Sequence, residues 1–136
     1  EGVGVGVVRG GGQVFLGDIE VRRNKPVPLG WKPGSPDGVQ AIEVYPAATL
    51  AAHRVASKGY RQLPAARRKV LRALASQLEL PPGLDRTLAA NPHALDAVLC
   101  VLAAADYLRG LAVPPSVDQA TLSRREGWIW VRPLAG

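Results

Sequence analysis

The stretch Asn91-Pro-His-Ala-Leu-Asp-Ala-Val-Leu-Cys holds the residue types and spacing best suited to chemistry in this chain. His93 and Asp96 stand three positions apart. On a helix that spacing puts an imidazole and a carboxylate on one face, close enough to share a metal ion. Asn91 suits the N-cap, where its side chain can accept from the unpaired N–H groups of the first turn. Pro92 suits the first helical position, where no N–H is needed. Leu95, Val98, Leu99, Val101 and Leu102 follow among alanines, so the rest of the helix is built for burial. Two readings of the pair stand. In one, Asp96 complements the positive end of the helix dipole and His93 is an ordinary exposed first-turn residue. In the other, both belong to a site.

Composition sets the frame around this helix. A chain of 136 residues with 47% hydrophobic content is long and apolar enough for one domain with a real core, which excludes wholesale disorder. Its apolar runs are alanine-rich and broken by charge or proline, so no membrane-spanning helix is expected, and no signal-peptide pattern is present. The single Cys100 excludes an internal disulfide framework and a multi-cysteine zinc site. It reads as a core filler, and a reducing cytoplasm is the expected setting. The chain has no methionine and begins at Glu1, so the expectation is an excerpt of a longer polypeptide.

Net charge is +6, which makes polyanions the expected partners. Arg54, Lys58, Arg61, Arg67, Arg68, Lys69 and Arg72 are uninterrupted by any acid. Such a run serves phosphate-backbone contact or simply a solvated helix face.

Val3 to Val8 alternates glycine with valine, Gly10-Gly11-Gly12 intervenes, and Gln13 to Val21 is β-rich, which predicts a hairpin. The early glycines match only part of a dinucleotide fingerprint, since no helix follows them. Residues 22–38 form a turn-rich loop with four prolines, which Trp31 could anchor. A short strand follows over 40–45 and ends at Glu43-Val44-Tyr45-Pro46, where Pro46 opens a helix through Val55. A carboxylate at the exit of a strand, just before a helix, is where α/β folds place functional groups. Pro64 to Leu80 predicts an amphipathic helix with arginines opposite its leucines. Pro81-Pro82-Gly83 stops it, and Glu126-Gly-Trp-Ile-Trp-Val predicts a closing strand.

Three segments, Glu43-Val-Tyr-Pro-Ala-Ala, Ala94-Leu-Asp-Ala-Val-Leu-Cys and Glu126-Gly-Trp-Ile-Trp-Val, occur in order at suitable separations. Together they resemble a bacterial and archaeal family of uncharacterised predicted nucleases with an RNase H-like fold. Lys58-Gly-Tyr and Arg67-Arg68 fit that family's middle. The resemblance covers residues 41–133. More distantly, His93-Ala-Leu-Asp96-Ala is similar to the final catalytic helix of RuvC-like resolvases.

The resemblance implies an α/β fold, a mixed RNase H-like sheet flanked by helices, here truncated or incomplete, as one domain over 1–136. It implies a metal-dependent nuclease that hydrolyses phosphodiester bonds. Glu43 and Asp96 would be metal ligands, with His93 as a further ligand or proton-transfer group. Lys58, Arg61, Arg67 and Arg68 would hold the nucleic acid. Carboxylates suit Mg²⁺ or Mn²⁺, and two such ions could activate water and stabilise the departing oxygen. The chain departs from the family in lacking an aspartate on its first strand. Residues 22–38 are also too short for the expected helices, and Asp18 and Glu20 are the available substitutes. The alternative is a catalytically inactive nucleic-acid-binding or scaffold module of the same fold.

Overall fold

The computed structural model describes residues 4–9, 13–15, 28–34 and 38–134, with backbone only for the first two stretches. Three strands form an antiparallel sheet of order β2-β1-β3: β1 Gly4–Arg9, β2 Gln13–Phe15 and β3 Val39–Val44. The glycine-punctuated hairpin expected from the sequence corresponds to β1 and β2, while residues 16–21 of its second arm lie outside the described residues. Two isolated parallel bridges extend the free edge of β3, Leu29 to Ala41 and Glu43 to Ile129. The chain is thus a helix-rich mixture of α and β structure.

Five helices follow β3: α1 Pro46–Ala52, α2 Pro64–Leu74, α3 Leu84–Ala90, α4 Pro92–Leu108 and α5 Ala120–Glu126. Proline opens α1, α2 and α4 at the first position, as its fixed φ favours. Asn91 caps α4 through its side chain, which accepts from the N–H of His93 at 2.9 Å and of Ala94 at 3.3 Å. α1 stops earlier than Val55 because it closes in a Schellman turn, with Arg54 N–H donating to Ala51 O and Val55 N–H to Leu50 O. That turn sets Arg54 at φ 59, a left-handed conformation that a side chain ordinarily avoids. α4 closes the same way on Gly110, which has no such penalty.

α4 spans about 25 Å at the usual helical rise and packs on two sides. Cys100, Ala103, Ala104 and Tyr107 meet Ile42 and Val44 of β3 and Trp130. Leu95, Leu99 and Leu102 meet Leu50 of α1, Val70 and Leu74 of α2, and Tyr60. Trp31 packs against the first cluster, so the proline-rich approach to β3 is anchored there.

Three segments differ from the sequence reading. α2 ends at Leu74 rather than Leu80, and the chain turns over Ala75–Gln77. α3 was not expected after Pro81-Pro82-Gly83; it starts because Gly83, at φ 84, redirects the chain into a new helix. Glu126 ends α5 instead of opening a strand, and only Ile129 pairs with β3. No single helix among the described residues is long and apolar enough to cross a membrane.

Candidate functional site

Asp96 sits in the second turn of α4 with its side chain only 16% exposed. Burying a carboxylate is costly unless it is bonded. Here the Tyr60 hydroxyl donates to Oδ1 at 2.7 Å and Arg61 Nη2 donates to Oδ2 at 2.8 Å. Burial, and then the bond to Asp96, push the Tyr60 hydroxyl up to about 12. Cys100 lies one turn further along α4. Burial, aided by the nearby negative charge of Asp96, pushes its thiol up to about 11.

Tyr60 and Arg61 reach Asp96 because Arg67 fixes the turn that carries them. The Arg67 side chain is buried and its guanidinium is spent on main-chain carbonyls. Nη1 donates to Tyr60 O at 2.8 Å and to Arg61 O at 3.2 Å, while Nε donates to Ala89 O at 2.7 Å. Nη2 reaches Ala90 O at 3.5 Å. Arg67 therefore joins the turn before α2 to the end of α3. It is no phosphate ligand, a correction to the sequence reading. The heptad-like placement of Arg67 beside Val70, Leu71 and Leu74 was the signal that it faces inward.

Glu43 occupies β3 between Ile42 and Val44, both packed toward α4. Strand alternation turns Glu43 to the other face. Its Oε2 accepts from Trp128 N–H at 3.0 Å, and its carbonyl accepts from Trp130 N–H at 2.9 Å. Gly127 takes φ 95, a conformation that favours glycine, and a Cβ there would displace the Glu43 carboxylate from its present position. Glu43 and Asp96 therefore lie on opposite sides of β3 with separate partners, and the structure does not bring them together. Among the described residues no three His, Cys, Asp or Glu side chains gather as a metal site. His93 is exposed, and its ring makes no hydrogen bond or ion pair among the described residues. Lys58 and Arg68 are exposed as expected, whereas Arg61 is occupied by Asp96.

The sequence reading missed a buried ionic group at the far end of α4. His53 Nε2 lies 2.7 Å from Asp106 Oδ2, and its Nδ1 lies 2.6 Å from Gln77 Oε1. Arg132 Nη2 stands 3.0 Å from Asp106 Oδ1 as an ion pair without hydrogen-bond alignment. Both imidazole nitrogens are engaged and the ring is only 1% exposed, so this group holds structure and has no access to a substrate. A carboxylate set among Ala103, Ala104 and Ala105 was the signal available in the sequence.

One cluster of cations free to meet a ligand lies on the outside of α2. Val70, Leu71 and Leu74 face inward, leaving Arg68, Lys69 and Arg72 exposed within one stripe. None of the three takes part in an ion pair among the described residues. A family model described as a protein of unknown function (DUF429) matches residues 31–120. No curated protein and no solved structure matches the chain.

Proposed function

The chain belongs to that family of unknown function (DUF429), and we propose that it is a nucleic-acid-binding module that grips phosphates through one face of α2. The observation that carries this reading is the exposed stripe of Arg68, Lys69 and Arg72, with Lys58 in the turn before it. No acid lies between Glu43 and Glu79, so the local field over this face is positive. An RNase H-like arrangement is part of the proposal. It is supported by the parallel bridge of Glu43 to Ile129 and by a long helix packed on β3.

The test is the salt dependence of binding to labelled DNA and RNA oligonucleotides. Each phosphate contact contributes a slope of about 0.9 in log affinity against log salt on B-DNA. Replacing Arg68, Lys69 and Arg72 by alanine should lower that slope by about 2 to 3. Absence of binding to either nucleic acid, or an unchanged slope in the triple variant, removes the reading.

Phosphodiester hydrolysis with Mg²⁺ or Mn²⁺ is the second reading. Glu43 favours it, since its Oε1 has no hydrogen-bond partner among the described residues. The described residues do not fit an ion shared with Asp96, whose two oxygens are held by Tyr60 and Arg61. Metal-dependent cleavage lost in both Glu43→Gln and Asp96→Asn, with folding retained, would support this reading. Cleavage at the parent rate in both variants would exclude it.

A further inference from the structure

A groove of about 640 Å³ runs between α2 and α3, and the phosphate-binding reading does not use its interior. Its floor is apolar, with Leu71, Leu78 and Leu80 among its residues. Its rim carries Arg68, Arg72 and Arg86 against one acid, Asp85. The walls are fixed in place: buried Arg67, rooted in α2, holds the carbonyls of Ala89 and Ala90 at the end of α3. A trough with an aliphatic floor and a cationic rim is matched by a helix with apolar anchors along one side and acids flanking them.

We propose that this groove docks an acidic amphipathic helix of a partner protein. Charge complementarity selects that occupant. A second copy of this chain carries net +6 and would meet the three arginines with like charge. A nucleic acid satisfies the rim but leaves the leucine floor uncovered. Because Arg68 and Arg72 belong to both the groove rim and the phosphate stripe, the docked helix covers part of the nucleic-acid face. The partner is therefore a competitor of the nucleic acid. That competition rests on the phosphate-binding reading, whereas the docking itself does not.

The probe is a fluorescein-labelled synthetic helix of about four turns, with leucines at i, i+3, i+4 and i+7 and glutamates beside them. Anisotropy is followed on the whole chain without nucleic acid. The glutamate peptide should bind saturably. A lysine-flanked peptide with the same leucines should bind at least about tenfold more weakly, given the penalty for juxtaposed like charges. Leu80→Asn, which changes no charge, should weaken the peptide and keep the oligonucleotide. Lys69→Ala, off the groove, should weaken the oligonucleotide and keep the peptide. The proposal is overturned if the glutamate peptide fails to bind, if both peptides bind alike, or if Leu80→Asn leaves peptide binding unchanged. Loss of oligonucleotide binding alone overturns the phosphate reading and leaves the groove assignment standing.

Discussion

The Tyr60 hydroxyl donates to Asp96 across 2.7 Å, joining the turn before α2 to the second turn of α4. With Arg61 on the other oxygen, it turns the carboxylate inward as a structural acceptor. An alkaline titration reads this bond directly. The Tyr60 hydroxyl is raised from 10.0 to about 12 in the fold, so the folded state favours the protonated form. The stability this contributes is complete below about pH 10 and declines as pH rises from there toward 12. Burial also raises the Tyr107 hydroxyl, so ultraviolet absorbance should show two tyrosines ionising late in the parent. Tyr60→Phe should remove one of the two and leave the Tyr107 component. An unchanged late amplitude in the variant would refute the assignment.

Arg67 and Arg68 are neighbours in the chain with opposite fates. Arg67→Ala removes the donor from four carbonyls and should cost at least about 2 kcal/mol. Arg68→Ala, on the exposed stripe, should stay within about 0.5 kcal/mol of the parent. Lysine at position 67 should not restore stability, because one ammonium cannot reproduce the guanidinium fork. Urea denaturation compares the three. Equal costs for Arg67→Ala and Arg68→Ala would contradict the burial described for Arg67.

Arg54 holds φ 59 at the close of α1. Glycine bears no Cβ penalty there, so Arg54→Gly should raise stability by roughly 0.5–1 kcal/mol. Thermal melting measures it, and a lower midpoint would mean that the Arg54 side chain contributes more than its backbone costs.

Asp106 faces His53 and Arg132 in the core. Asp106→Ala should cost at least about 1–3 kcal/mol, because it leaves the buried His53 ring and the Arg132 guanidinium without their carboxylate partner. His53→Ala made in addition should cost far less than it does alone. Simple additivity of the two losses in a double-mutant cycle would show that the pair is not coupled.

Much of the scaffold is legible in the residues themselves. Asn91 and Pro92 mark the start of α4, Pro46 and Pro64 open α1 and α2, and the valine–glycine alternation marks β1. These are local signals, fixed by φ restriction, capping and side-chain periodicity over a few neighbours. α3 was less legible because a left-handed Gly83 reads equally as a stop and as a redirection. The closing segment was misread because Gly127 opens room for the Glu43 carboxylate, a contact with a residue far away in sequence.

The sequence by itself determined that α1, α2 and α4 are helical, where the cations cluster, and that a carboxylate stands in the early turns of α4. Tertiary structure alone decided what those side chains face. Periodicity assigns a residue to a face but names no partner for it. Arg67 thus went inside to carbonyls while Arg68 stayed in water, and Glu43 and Asp96 came to lie on opposite sides of β3. The physical reason is that desolvating a charge is tolerated only where the fold supplies matching polar groups, and those groups come from distant parts of the chain.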